Sequence, residues 1–126
     1  MGAKLLNAGK IIAVDIRESQ LEFAMKFGAT HSVNASDQDP VARVKEITGG
    51  LGADYTFEVV GSADTIKSSY EMAGKRRTVT VVGIAPADVE APINAVDLVR
   101  NEKTLRGTYY GSARGRNDMP AMVDLY

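Results

Sequence analysis

The chain has 126 residues, of which 44% are hydrophobic and 25% charged, with a formal net charge of -1; that is room for one compact domain, and short of the two that a cofactor-plus-substrate enzyme needs. The apolar content excludes disorder, and the balanced charge gives no global attraction to nucleic acid or an anionic membrane, so neither is an expected partner. Cysteine is absent, which removes disulfides and thiolate zinc sites, and with neither a signal-peptide pattern nor an apolar run near the roughly 20 residues that span a bilayer, a cytoplasmic location is expected.

Residues 1–8 (MGAKLLNA) read as the final turns of a helix with no strand before it. The apolar run 11–15 (IIAVD) predicts a strand, and 18–27 a helix with Leu21, Phe23, Ala24 and Phe27 on one side and Gly28 as its left-handed cap. A short strand follows at 31–34 (HSVN), then Asp39 and Pro40 open a second helix whose stripe is Val41, Val44 and Ile47 before Gly49 and Gly50. Residues 54–60 (DYTFEVV) predict a strand, Ser62 caps a helix over 63–72 before Gly74, and 78–84 (TVTVVGI) predict the next strand. Asn94, with Asp97 three residues on, resembles a capping arrangement ahead of Leu98 and Val99. Residues 104–109 (TLRGTY) predict the last strand, Arg114-Gly115-Arg116 a solvated basic turn, and 120–126 (PAMVDLY) an amphipathic helix that stops without a cap. Strand and helix alternate throughout, and IIAV, FEVV and VTVVG are nearly continuous apolar runs, as strands buried on both faces should be. The expected fold is therefore α/β, a doubly wound, Rossmann-like parallel sheet. Both ends cut through elements, so residues 1–126 are expected to form part of a dinucleotide-binding domain, a piece of a longer protein and not a complete enzyme.

Asp15 closes the first apolar run, which places it at the carboxyl end of a parallel strand, where open α/β sheets bind ligands. A carboxylate there accepts hydrogen bonds from both hydroxyls of an adenosine ribose and repels the extra phosphate of NADP, a preference for NAD; alternatively it caps the following helix. The companion glycine-rich G-x-G-x-x-G loop, expected about 20 residues earlier, is missing; Gly50-Leu51-Gly52 precedes a strand and reads as a loop. Glu58, a carboxylate within an apolar strand, reads either as an acid-base group or as a structural hydrogen-bonding group, the second being favoured. His31, the single histidine, has no partner ligands in sequence.

The runs Met1-Gly2-Ala3-Lys4 and Ala8-Gly9-Lys10-Ile11-Ile12-Ala13-Val14-Asp15, the turn Phe27-Gly28-Ala29-Thr30 and the strand Ser32-Val33-Asn34 resemble the cofactor domain of zinc-containing medium-chain alcohol dehydrogenases. Gly52-Ala53-Asp54-Tyr55-Thr56-Phe57-Glu58-Val59-Val60-Gly61 is the most specific match, and Thr80-Val81-Val82-Gly83-Ile84 and Leu105-Arg106-Gly107-Thr108-Tyr109-Tyr110-Gly111 match the last two strands. The resemblance implies an NAD-dependent enzyme that moves hydride between nicotinamide and an alcohol or aldehyde. It implies that Asp15 binds the ribose, that Ile16 and Arg17 flank the adenosine, that Val60 and Gly61 border the switch point, and that Gly83, Ile84, Thr108 and Tyr110 face the nicotinamide end. Gln20 departs from the family, which often carries a basic residue there. The catalytic zinc of such enzymes needs two thiolates and an imidazole, a set this chain lacks, so zinc belongs to the parent protein only and the isolated chain is expected to be inactive, with weak NAD binding at most.

The resemblance further implies that the segment 104–110 lies at a subunit contact, so a homo-oligomer joined through that edge is expected, and a non-catalytic dimerising module is one alternative. A second is a methyltransferase binding S-adenosylmethionine, which should end in an antiparallel hairpin strand. A short-chain dehydrogenase fails because Tyr70 and Lys75 are five apart, with Gly74 between them. The expected strand order is 3-2-(1)-4-5-6 with strand 1 missing; the vacant place is filled by upstream residues, closed by strands 2 and 4, or filled by another chain.

Overall fold

A computed structural model describes residues 1–124. The elements run α1 (Gly2–Leu5), β1 (Ile12–Asp15), α2 (Glu18–Lys26), β2 (His31–Asn34), α3 (Pro40–Ile47), β3 (Ala53–Glu58), α4 (Ala63–Met72), β4 (Ala73–Val81), α5 (Ala95–Arg100), β5 (Thr104–Gly107), a 3-10 turn at Tyr110–Ser112 and α6 (Gly115–Asp124). Every strand pairing among the described residues is parallel, β1 with β2 and β3-β4-β5 in that order. The expected alternation and order are present, and β5 leads into a 3-10 turn and a helix, not the antiparallel hairpin of a methyltransferase. Strands β1 and β3 do not pair, so the sheet is two half-sheets, and of the three alternatives for the vacant place the closing-up of these strands does not occur.

Sequence accounts for the local structure. Helix α3 starts where the Asp39 side chain accepts from the Val41 and Ala42 N–H groups, with Pro40 in its first turn; α5 starts where Asn94 accepts from Val96 and Asp97. Ser62 and Thr65 form a reciprocal capping box at α4, which satisfies two N–H groups a helix start otherwise leaves orphaned. Leu21 of α2 and Val33 of β2 are buried in the first half-sheet, while Tyr70, Ala73 and Val79 form the core of the second, with Ile93 and Leu98 against it. Helix α3 packs against both β2 and α4 and so joins the halves, with Val44 buried.

Several boundaries differ from the sequence reading. Strand β3 ends at Glu58, two residues before Val60, because the Glu58 side chain captures the N–H groups of Val60 and Gly61. Strand β4 ends at Val81, short of Ile84, because the Val82 and Gly83 N–H groups both converge on the Glu58 carbonyl. It also begins at Ala73, paired with Ala53 across a bulge, instead of at Thr78. Strand β5 ends at Gly107, since Tyr110, Gly111 and Ser112 all take left-handed backbone angles that no strand continues. Helix α6 begins at Gly115, ahead of Pro120, and absorbs the basic turn; the Asp118 carboxylate accepts from Arg114 N–H at 2.6 Å and holds that start. The final two positions of the expected 120–126 helix lie outside the described residues.

Candidate functional site at the carboxyl rim of the strands

Parallel strands carry their carboxyl ends to one rim. Asp15 is the last residue of β1 and pairs in register with Asn34, the last of β2. Its Oδ1 accepts from Arg17 N–H at 2.9 Å, and Arg17 Nε lies 3.7 Å from the same oxygen. This is an Asx-type turn, distinct from a cap of α2: the N-cap of that helix is Arg17, and no side chain caps it. Oδ2 carries no hydrogen bond among the described residues, and the carboxylate is about one-third exposed, at 34%. Ile16 and the Arg17 side chain are exposed beside it. Sequence reading missed the neighbours: Ser36 hydroxyl donates to the Ile16 carbonyl at 3.3 Å, and Asn34 bonds Glu18 and the Ser36 N–H. The signal was present, since Asn34 closes its strand as Asp15 does.

On the second half-sheet, Val60 and Gly61 follow β3, and Gly83 and Ile84 follow β4. Gly61 has φ +82, and a Cβ there would lie 2.6 Å from the Ile84 carbonyl carbon; a Cβ on Gly83 would collide with the backbone of Val60 and Gly61. Only two glycines let these turns touch, and bare backbone is what a flat ligand ring can approach. Val60 and Ile84 are exposed at 69% and 68% although apolar, so their side chains stand in solvent on this rim. Thr108 follows β5, its N–H donating to the Val81 carbonyl at 3.0 Å and its hydroxyl paired with Ser112 at 2.9 Å. Thr108 lines a cleft of about 330 Å3 with Phe57, Thr80, Val82 and Arg106, while Tyr110 stands exposed, its ring 4.6 Å from that of Tyr109. The rim thus gathers Gly61 with Gly83 in direct contact, Thr108 close by, and Asp15 on the neighbouring half-sheet.

A larger cleft of about 620 Å3 opens among the last turns of α3 and α4, the first of α5 and the residue before β5, lined by Lys45, Lys67, Tyr70, Asp97 and Lys103. It lies at the amino ends of the strands, away from Asp15. Lys103 is engaged there by Asp97 Oδ2 and the Tyr70 carbonyl, each at 3.1 Å, and by the Tyr70 ring at 4.3 Å. Burial pushes the Tyr70 hydroxyl up to about 12, with the nearby Asp97 carboxylate adding to the shift, although among the described residues the hydroxyl makes no direct hydrogen bond. The Tyr70 hydroxyl in turn holds the Asp97 carboxyl below its ordinary range, helped by Lys103 and Asn101 and opposed by desolvation.

A thiolate zinc centre does not fit the donors of this chain. Cysteine is absent, the Nδ1 of His31 is bonded to the Thr30 hydroxyl at 2.8 Å, and no group of three metal-ligating side chains occurs among the described residues. No helix among them is long and apolar enough to cross a membrane.

The zinc-binding dehydrogenase family model matches residues 1–126. The chain is 35% identical to S-(hydroxymethyl)glutathione dehydrogenase of Synechocystis sp., over 98% of this chain and 34% of that protein. It is 38% identical to alcohol dehydrogenase 2 of Tanacetum cinerariifolium, over 97% and 32%. Among solved structures, benzyl alcohol dehydrogenase from Acinetobacter calcoaceticus superposes with a TM-score of 0.91 at 40% identity, over 98% of this chain and 34% of that one. A zinc-binding dehydrogenase from Sinorhizobium meliloti, bound to NADP, gives a TM-score of 0.77 at 27% identity, over 84% and 32%. This chain spans about a third of the length of these relatives. With its full length matched by the family model and its fold by these structures, the chain belongs to the zinc-binding dehydrogenase family.

Proposed function

We propose that residues 1–126 are part of the dinucleotide-binding domain of an NAD-dependent alcohol dehydrogenase, cytoplasmic in location, which transfers hydride between an alcohol or aldehyde and nicotinamide with the zinc held elsewhere in the parent protein. The observation that carries the reading is Asp15: Oδ1 is fixed by the Arg17 N–H while Oδ2 has no bond among the described residues, at the carboxyl end of β1. A carboxylate so fixed accepts from ribose hydroxyls and repels a 2′-phosphate, which favours NAD over NADP. Ile16 and Arg17 then border the adenosine, and the Arg17 guanidinium stacks on the adenine. Val60, Gly61, Gly83 and Ile84 present the nicotinamide end, with backbone groups toward its carboxamide, and Thr108 and Tyr110 flank it. Bound NAD supplies the hydride acceptor; these residues bind and orient it.

The test is saturation-transfer NMR of the 126-residue chain with millimolar NAD. Saturation should reach the adenine and adenosine-ribose protons most strongly and be lost in Asp15→Ala. Equal transfer to both proteins would remove Asp15 from the site.

The parent is further proposed to be a homo-oligomer joined through the edge 104–110, with β5 exposed along its length and, among the described residues, paired on one side only. Because Thr108 N–H faces β4, alternation along a parallel ladder turns the Leu105 N–H toward the open edge. Proline at Leu105 leaves the β4 ladder intact and blocks edge pairing. Light scattering should show a dimer for the native chain and a monomer for Leu105→Pro; a native monomer would discard the edge as an interface for this chain.

A further inference from the structure

Glu58 is 3% exposed, and Oε1 of its carboxylate accepts three hydrogen bonds: from Val60 N–H at 2.7 Å, Gly61 N–H at 2.8 Å and the Thr65 hydroxyl at 2.8 Å. Its backbone carbonyl accepts two more, from Val82 N–H at 2.7 Å and Gly83 N–H at 3.0 Å. One residue therefore gathers the backbone of two turns on adjacent strands. The Thr65 hydroxyl, while donating to Glu58, accepts from the Ser62 N–H at 3.3 Å, so the start of α4 is tied to the same carboxylate. The glycine contact completes the joint: a Cβ on Gly83 collides with the Val60–Gly61 backbone, so neither turn shifts without the other. The N–H groups of Val60 and Gly61, just ahead of the α4 cap at Ser62, are thus engaged by Glu58.

We propose that Glu58 is the positioning residue for the nicotinamide end of the cofactor site: it touches no cofactor, and it fixes the turn 60–61 against the turn 82–84. This rests on the NAD-binding reading given above. A group that merely filled the core would affect the whole domain, whereas a positioning group acts on one end of the ligand. NAD and ADP-ribose share the adenosine end and differ by the nicotinamide, and so separate the two roles.

The experiment uses the 126-residue chain as native, Glu58→Ala and Glu58→Gln proteins, with amide hydrogen exchange at Val60, Gly61, Val82 and Gly83 and titrations with NAD and with ADP-ribose. Hydrogen bonds to a charged group are worth enough that Glu58→Ala should speed exchange at Val60 and Gly61 by about tenfold or more and weaken NAD by about tenfold. ADP-ribose affinity should stay within about twofold of native by the same reasoning, because Asp15 is untouched. Glu58→Gln keeps a carbonyl acceptor and should recover most of both losses. Where Glu58→Ala does not fold, Glu58→Asp, one methylene short of the turn, takes its place with the same expectations. Unchanged exchange at these amides, or equal loss of NAD and ADP-ribose, would overturn the proposal. A native chain that binds neither ligand would count against the NAD reading alone, and the exchange rates would then decide the clamp.

Discussion

The two half-sheets bring different parts of the chain to the carboxyl rim. The β1–β2 unit has two strands of four residues each, covered by α2, and the group proposed to act there is a side chain, Asp15. The β3–β4–β5 unit has one strand more, with Tyr70, Ala73 and Val79 at its core, and what it brings to the rim is backbone: two turns drawn together by one glutamate and one glycine contact. A site built on a side chain tolerates a modest scaffold. A site built on backbone needs a scaffold that holds two turns to within tenths of an ångström, and the buried polar bonds of Glu58 provide it.

If the halves are separate packing units joined through α3, damage should stay largely within one of them. The largest effect is expected for Leu21→Ala: Leu21 is 2% exposed, and its loss should cost about 3 kcal/mol. In a chemical denaturation followed residue by residue, the amides of β1 and β2 should lose protection first. A single transition shared by all five strands would show instead that the two halves unfold as one. Gly61→Ala comes next at about 2 kcal/mol, from a left-handed backbone and a Cβ driven against Ile84, and its damage should be confined to the turns after β3 and β4. Asp39→Ala, which removes the α3 cap, should cost about 1 kcal/mol and loosen both halves, because α3 touches both.

The smallest effects lie at the far rim and are read through pH. The Tyr70 hydroxyl, raised to about 12, keeps its proton in the folded chain at a pH where the unfolded tyrosine, near 10, has lost it. The folded state then binds more protons, so stability should fall as pH rises from about 10 toward 12, and Tyr70→Phe should flatten that fall; because the same hydroxyl holds the Asp97 carboxyl low, the variant should also weaken the acid-side dependence that Asp97 carries. Asp97 has the opposite sense: with its carboxyl held low, its contribution is complete above the ordinary aspartate range near 4 and is lost as pH falls through the depressed folded value. Asp97→Asn should remove that acid-side dependence. A thermal-melt series across pH checks both.

What the sequence made legible follows the same division. Asp15 could be read because a carboxylate at the end of an apolar run is a local pattern, and the helix starts at Asp39, Ser62 and Asn94 because capping is local as well. The ends of β3 and β4 could not be read, since Val59, Val60, Val82 and Ile84 look like strand and leave it where Glu58 engages the N–H groups of Val60, Gly61, Val82 and Gly83, a tertiary fact. The contact of Gly61 with Gly83 joins residues far apart in the chain, and no spacing rule announces it. Position 58 itself was read as a structural hydrogen-bonding carboxylate, and five bonds converge on it; what stayed hidden was that they tie two separate turns together. The early start of α6 was missed because Pro120 looks like a first-turn residue, while Asp118 anchors a start five residues before it.

The central claim is that Asp15 selects the adenosine ribose and, with it, NAD over NADP. Competition between the two dinucleotides for the 126-residue chain, measured with the native protein and with Asp15→Ser, tests this most directly. Close approach of a second negative charge to a fixed carboxylate should give the native chain at least about a tenfold preference for NAD, and Asp15→Ser should bring the two affinities together. Equal affinities in the native chain, or a preference that survives the substitution, would contradict it.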